Sequence, residues 1–233
     1  MLSLLDAQGH CVIEDSATGD LVACLKEHLP HLKYLSFHGI VEVGHDFHIH
    51  DADGTGAHYH LLFELQQLQL QSLSYAARST DILASCISLP SEYEVLGRMH
   101  SLEHLHVECG PIASFLPLAG LTNLKSLTLE CWPFSGGDFN AFLACCPHIT
   151  ELTIPHVMGW PPSSSSIRRI TVTESCYMDD LPTRTTLPLL SHLCVKWVQY
   201  DAVRSEAQLA DTLQALAGVR VECGRFDLII DAG

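Results

Sequence analysis

Basic residues are scarce in this sequence, with 12 lysines and arginines against 27 aspartates and glutamates and a formal net charge of −15. Nucleic acids and anionic membranes are bound through clusters of positive charge. The composition therefore argues against both as partners. Aromatic residues are also few, at 7% of the chain, so the hydrophobic fraction of 47% is mainly aliphatic and is large enough to build a core.

Long apolar runs are also absent, since none reaches the roughly 18 residues that a membrane-spanning helix needs. The first residues, MLSLLDAQGHCVIEDS, contain neither the basic region nor the long apolar stretch of a secretory signal. The 10 cysteines include no C-x-x-C pair of the kind found in zinc ribbons and redox proteins. We therefore predict an intracellular protein, cytoplasmic or nuclear, whose cysteines stay reduced and pack as small hydrophobic residues.

Common catalytic motifs are missing as well. The sequence contains no G-x-S-x-G, no phosphate-binding P-loop, no G-x-G-x-x-G and no H-E-x-x-H. We therefore predict that the protein is not an enzyme and needs no cofactor.

Leucine is abundant, at about one residue in six, and it recurs in the pattern apolar-x-x-apolar-x-apolar. From Leu105 onward, the steps between the central apolar residues lie close to the roughly 20–29 residues of a leucine-rich repeat. The central residues of the successive units are Leu35, Leu73, Leu105, Leu127, Leu152, Ile170, Leu193 and Val219.

The spacing within each unit indicates a strand, because the fourth and sixth positions lie two residues apart and share one face. Helical patterns lie between units at 18–29, 138–145 and 204–217. A single strand-and-return unit cannot bury its apolar face alone, so successive units must stack. We expect Leu105, Leu127, Leu152 and Leu193 to form one buried column.

Two segments share a sequence pattern in which the end of a helix is followed by Cys or Leu, then Pro, then a strand. They are FLACCPHITELTI at 142–154 and LPHLKYLSF at 29–37. On these segments the chain resembles leucine-rich repeat proteins over roughly residues 20–223, and more narrowly the repeat region of fungal F-box/leucine-rich repeat proteins. The resemblance implies an α/β solenoid with a parallel sheet on its concave face and short helices on its convex face. It also implies protein–protein interaction, and more specifically substrate recognition related to F-box ubiquitin-ligase subunits.

The domain organisation follows from the repeat pattern. We expect residues 1–31 to form an N-terminal helical cap, residues 32–223 the repeats and residues 224–233 a C-terminal capping strand. The F-box, a helical module that docks a ubiquitin-ligase adaptor, normally precedes such repeats. Only about one helix precedes the first strand pattern, so no F-box is expected here. The sequence leaves open whether that module was lost, whether the chain is a fragment, or whether the repeats stand alone.

Strand residues between the inward positions are expected to face the concave side, where solenoids usually bind partners. A protein partner of unknown identity is expected there, and the chain itself is expected to be a monomer. The candidate binding residues are His104, His106, Glu108, Thr128, Glu130, Thr153, Arg169, Thr171, Thr173, His192, Lys196, Arg220 and Glu222.

A histidine-rich insertion at 44–60 supplies an alternative function, metal binding. Its two H-x-H pairs, His48/His50 and His58/His60, flank a glycine-rich turn. Alternate residues of a hairpin share a face, so four imidazoles can converge on one Zn²⁺. The same segment resembles the start of a calcium loop, but Leu62 stands where the bidentate glutamate should be. We prefer the interpretation that the insertion is a polar loop without a metal.

Three cysteines share one repeat position, since Cys109, Cys131 and Cys223 each follow a glutamate. Strand alternation predicts that their side chains turn toward the core. We therefore expect these thiols to be buried and slow to react.

Overall fold

The computed structural model describes residues 23–41, 65–79, 90–108, 114–130, 136–156, 162–177, 180–201 and 206–229. Within these ranges, eight strands form one sheet in chain order, and all neighbouring pairs are parallel. The strands are β1 (Tyr34–Val41), β2 (Ser72–Ser79), β3 (His104–Glu108), β4 (Ser126–Leu129), β5 (Glu151–Ile154), β6 (Arg169–Tyr177), β7 (His192–Asp201) and β8 (Arg220–Ile229).

Helices lie on the connections between the strands. They are α1 (Pro90–Gly97), α2 (Gly136–Cys145), α3 (Glu206–Ala215) and a 3₁₀ helix at Leu116–Gly120. Residues 23–28 are also helical, whereas residues 1–22 of the expected N-terminal cap lie outside the described residues. The open, all-parallel sheet with intervening helices confirms the predicted α/β solenoid class. In the part of the chain that the structure describes, no helix is long and apolar enough to span a membrane.

The central leucines form the expected column. Leu105 is opposite Leu127, and Leu127 is opposite Leu152. Leu193 joins the same row through Ile170. All five side chains are buried, with relative exposures of 0–2%. The two-residue spacing of each unit therefore directs its apolar pair into a shared core.

A hydrogen-bond ladder fixes the register where each strand begins. The carbonyl of Lys125, just before β4, accepts the N–H groups of Thr150 and Glu151 at 2.8 and 3.1 Å. Residues 33, 71, 103, 150 and 168 repeat this arrangement, each accepting two N–H groups from the next coil. Because one carbonyl serves two donors at each of these six steps, the coils from β1 to β7 stack in the same way.

The helices cover the core side of the sheet. Phe139, Phe142 and Leu143 of α2 belong to the same buried cluster as the strand leucines. Phe115 packs edge-to-face on Phe139 with ring centroids 4.8 Å apart. It also lies 6.0 Å from Phe142. Three aromatic rings therefore fill the space between the sheet and the connections before and after β4, in geometries that aromatic pairs favour.

Helix prediction was partly successful. The patterns at 138–145 and 204–217 correspond to α2 and α3. Helix α1 and the 3₁₀ helix were not predicted. The 3₁₀ helix has only five residues, and the eight residues of α1 include few apolar ones, so neither shows a clear helical period. Pro90 at the start of α1 fits the first helical turn, where no backbone donor is needed.

The last unit differs from its predicted register by two residues. Val221, rather than Val219, is opposite Leu193. Gly218 precedes the strand with a φ of 76°, in the left-handed region that favours glycine. An even shift leaves the same residues on each face. Residues 224–229 of the expected capping strand are part of β8, and residues 230–233 lie outside the described residues.

The prediction that Cys223 is buried is wrong. Cys223 is opposite Val195, as expected for the core row, yet its side chain is exposed. Its neighbour in the adjoining core row, Val221, is 45% exposed. β8 is the last strand of the described residues, so no further coil among them covers its inner face. Cys109 and Cys131, the other two residues of this prediction, lie outside the described residues.

Candidate binding face

The side of the sheet away from the core presents the strand residues that alternate with the buried ones. We call this surface the open face; it corresponds to the predicted concave side. Its two rows cross all eight strands. The first row is Tyr34, Ser72, His104, Ser126, Glu151, Arg169, His192 and Arg220, and the second is Ser36, Ser74, His106, Thr128, Thr153, Thr171, Cys194 and Glu222.

All thirteen candidate residues are exposed or half-buried. Nine of them belong to the two rows of the open face, as the alternation predicts. The remaining four, Glu108, Glu130, Thr173 and Lys196, lie one residue beyond a core position toward the carboxyl end of the strands. The structure thus brings the candidates onto one surface, while their role in binding stays a prediction.

Three polar side chains are linked across β2, β3 and β4. Ser74 Oγ lies 3.1 Å from His106 Nδ1. His106 Nε2 lies 3.3 Å from Glu130 Oε1, although the contact lacks hydrogen-bond geometry. The sequence singled out His106 and Glu130 but missed Ser74, which strand alternation around Leu73 could have indicated.

The serine, histidine and glutamate are the residue types of a hydrolase triad, but the surroundings do not match that chemistry. Hydrolases need spare N–H groups near the serine to stabilise an oxyanion. β2 lies between β1 and β3 and pairs with both, so the backbone donors around Ser74 are engaged in the sheet. The glutamate is also 47% exposed, where water weakens its effect on the imidazole. The three residues therefore form a polar surface network.

Charged side chains pair at two other places on the open face. Glu151 Oε1 lies 3.9 Å from Arg169 Nε, between β5 and β6. Glu222 Oε1 lies 2.7 Å from a terminal guanidinium nitrogen of Arg220 and 3.6 Å from His192 Nε2. These groups are largely exposed, apart from the half-buried imidazole, so each contact contributes little to stability. They do place opposite charges next to each other on the open face.

A cation–π pair joins β7 and β8 beyond the predicted residues. The guanidinium of Arg225 lies 5.0 Å from the centroid of the Trp197 ring. Strict alternation from Val195 places Trp197 in the core, but Val198 is the next buried residue of β7. The pairing of β6 with β7 is irregular at the same level, between Val172 and Ser175. Trp197 is therefore half-buried beside a local irregularity in strand pairing, which the sequence pattern does not predict.

The predicted metal ligands His48, His50, His58 and His60 lie outside the described residues. Within the described ranges, no group of three or more histidine, cysteine, aspartate or glutamate side chains is placed to hold a metal ion. A cavity of about 330 Å³ is lined by residues at 29–33 and 67–69, in the connections that precede β1 and β2. That cavity is separate from the open face.

Comparison with known proteins agrees with the fold and adds one relative. No protein-family model matches the chain. Over 93 residues, the chain is 34% identical to a putative F-box/LRR-repeat protein of Arabidopsis thaliana. The match covers 38% of this chain and 17% of the Arabidopsis protein, so the chain spans only a small part of that relative. Together with the all-parallel sheet, this partial similarity fits a repeat protein.

Proposed function

We propose that this protein is a non-enzymatic interaction module of leucine-rich repeat type, and that its open face binds a protein partner. The observation that carries the proposal is the continuity of that face. Polar residues from eight parallel strands lie side by side, while the helices and apolar side chains occupy the other side. Sheet faces of solenoids are common binding surfaces. The partial similarity to an F-box/LRR-repeat protein supports the same role.

The finer proposal is that the bound protein is a substrate recognised for a ubiquitin ligase. It is supported by the name of the Arabidopsis relative and by the sequence pattern that recurs at 29–37 and 142–154. Co-purification of the protein, expressed from its full gene, with a ubiquitin-ligase adaptor would support this role. A stable partner complex that never contains the adaptor would contradict the ligase role and leave the interaction role intact.

Charge and thiols support an intracellular role with protein partners. A net charge of −15 repels nucleic acids and anionic membranes, so neither is expected as a partner. The structure describes six cysteines, and all six are free thiols. Free thiols are typical of reducing compartments, so we propose a cytoplasmic or nuclear location.

Site-specific photo-crosslinking tests the proposed face. A benzophenone amino acid is placed at Thr128, in the middle of the open face, or at Ala144, which is exposed on α2. Crosslinked partner should form from Thr128 and not from Ala144. A Thr128→Arg variant should also lose the partner while unfolding at the wild-type denaturant midpoint. Crosslinking from Ala144 alone would move the binding surface to the helical side and overturn the proposal.

A further inference from the structure

The cavity that precedes β1 and β2 lies between two neighbouring connections. Residues 29–33 lead from the helix at 23–28 into β1, and residues 67–69 lead into β2. The carbonyl of Lys33 accepts the N–H groups of Gln71 and Ser72 at 2.8 and 2.9 Å, which holds the ends of the two connections together. The cavity volume of about 330 Å³ lies at the lower end of the roughly 300–1,000 Å³ found for small-molecule pockets.

Leucine side chains form the apolar part of the cavity. Leu68 is 7% exposed, and Leu32 is half-buried and packs against the core. Leu29 is 39% exposed, so much of its side chain is in contact with water. An apolar group placed in the cavity would remove leucine surface from water, which the hydrophobic effect favours.

The polar part of the lining is cationic. Lys26 and Lys33, two of the four lysines in the chain, line the cavity together with His31. The described residues that line it include no aspartate or glutamate. Because the whole chain has 27 acidic residues and only 12 lysines and arginines, the cavity reverses the sign of the overall charge.

The charge of Lys26 is not neutralised by its hydrogen bond. Its Nζ donates to the side-chain oxygen of Gln67, which is a neutral amide. Glu27 follows Lys26 in the helix, and consecutive helical residues do not face each other. Among the described residues, no carboxylate forms an ion pair with Lys26. The ammonium group therefore keeps its capacity to attract an anion.

Lys33 is in a similar position. It forms no ion pair with a carboxylate in the part of the chain that the structure describes. Glu103 interacts with Lys33 electrostatically, but the Glu103 carboxylate is already in contact with Lys125 Nζ at 2.7 Å. The two lysines of the cavity thus give it a positive charge beside an apolar surface.

We infer that this cavity binds a small molecule in which a carboxylate is joined to a short apolar group. The carboxylate pairs with the ammonium groups of Lys26 and Lys33, and the apolar group packs on Leu29, Leu32 and Leu68. A fully polar anion would leave the leucine surface in water, and a neutral apolar molecule would make no use of the lysines. The cavity is separate from the open face, so the inference goes beyond the proposed function and does not depend on it.

Hexanoate serves as a probe of this chemistry. The full chain is labelled with nitrogen-15, and its amide chemical shifts are followed during a hexanoate titration at fixed pH and low salt. The largest shifts should fall at residues 31–33 and 67–69. Added salt should weaken binding, because it screens exposed charges.

Two reference ligands separate the two halves of the probe. Hexanol has the same apolar tail without the charge and should bind about fivefold more weakly, as expected when exposed ion pairs are lost. Acetate has the carboxylate without the tail and should also bind more weakly than hexanoate. The comparison shows whether both the lysines and the leucines contribute to affinity.

Substitutions in the lining give the second measurement. Lys26→Gln and Lys33→Gln should each weaken hexanoate about two- to fivefold, the range for one exposed ion pair, and should leave hexanol binding unchanged. Lys196→Gln, an exposed residue of β7, is the matched control and should alter neither ligand. Leu29→Gln should weaken both ligands, whereas Leu189→Gln, at an exposed leucine outside the lining, should weaken neither. Each variant should unfold at the wild-type denaturant midpoint, so that lost binding is not lost folding.

The outcomes decide each part of the inference. Shifts centred outside 29–33 and 67–69 would overturn the site. Hexanol that binds as tightly as hexanoate, or lysine variants that behave like Lys196→Gln, would overturn the role of the charges. Acetate that binds as tightly as hexanoate would overturn the apolar part of the ligand. Crosslinking from Thr128 tests the open face separately, so the failure of one proposal leaves the other standing on its own measurement.

Discussion

Cys145 and Cys146 are consecutive residues at the end of α2, yet the first side chain is exposed and the second is fully buried. The Cys146 thiol points toward the carbonyl of Leu121 at 3.6 Å, in the preceding coil. Burial, with a smaller contribution from Cys145, raises the pKa of the Cys146 thiol to about 12. At the end of α2, the Cys145 side chain therefore lies in solvent and the Cys146 side chain lies in the core.

The first prediction is a difference in thiol reactivity within this pair. A Cys146→Ser protein should label at position 145 with a maleimide in the native state, whereas a Cys145→Ser protein should leave Cys146 unlabelled. Only the thiolate reacts, and burial disfavours it. Labelled peptides are located by mass spectrometry, and both cysteines should react after unfolding in denaturant. Rapid native labelling of Cys146 would contradict the position of this side chain.

The second prediction concerns the leucine column. Leu127→Ala should lower the free energy of unfolding by about 2–5 kcal/mol, because it removes a side chain with 0% exposure from a packed core. Leu189, which is 45% exposed, provides the matched control, and Leu189→Ala should cost about 1 kcal/mol at most. Denaturant unfolding measures both. Equal effects at the two positions would be incompatible with the column.

The third prediction concerns the close stacking of two connections. A Cβ added at Gly97 would overlap the carbonyl oxygen of Pro117, and one added at Gly120 would overlap the carbonyl oxygen of Gly97. Both obstacles are backbone atoms, which cannot turn aside. Gly97→Ala should therefore destabilise the protein by about 1–3 kcal/mol or more. The neighbouring Arg98→Ala change serves as a control and should have little effect, since Arg98 is exposed. A Gly97→Ala protein as stable as wild type would show that the connections do not approach this closely.

The fourth prediction is a pH dependence caused by His156. Its side chain is 6% exposed, and this burial lowers its pKa, while nearby Glu174 acts in the opposite direction. The folded protein then holds its proton less tightly than the unfolded chain. The contribution of neutral His156 to the free energy of unfolding is fully present above about pH 6.5, the usual histidine pKa. It is lost as pH falls through the lower pKa of His156 in the folded protein.

Replacing His156 isolates that contribution. The difference in unfolding free energy between wild type and His156→Gln should change between pH 7 and pH 5, with wild type losing more stability on acidification. His148 is exposed, so His148→Gln should show no such change. A constant difference for His156→Gln across this range would contradict the prediction.

The fifth prediction concerns the histidine-rich insertion, which lies outside the described residues. We expect no stoichiometric metal in protein purified without an affinity tag, as measured by elemental analysis. A His48→Ala/His58→Ala variant is the control. Zinc at one equivalent in wild type and none in the variant would establish the alternative metal-binding function, and such binding should weaken as pH falls through about 6.5 because protons compete for imidazole.

The sequence by itself determined the repeat and the two faces of the sheet. The alternation around Leu105, Leu127 and Leu152 is a local property, because neighbouring residues of any strand point to opposite sides. The candidate residues His106 and Thr128 follow from the same rule, and the structure places both on the open face. Even the two-residue register shift of the last unit left its faces unchanged.

Tertiary structure decided the features that depend on contacts between coils. Trp197 is half-buried, whereas strict alternation places it in the core, and the pairing of β6 with β7 is irregular at this level, beyond Val172. Cys223 lies in the core row of β8 but is exposed, because burial requires a neighbouring coil that covers the side chain as well as an inward direction. The periodicity of one strand cannot predict the exposure of these side chains, because that exposure is set by the coils that pack against the strand.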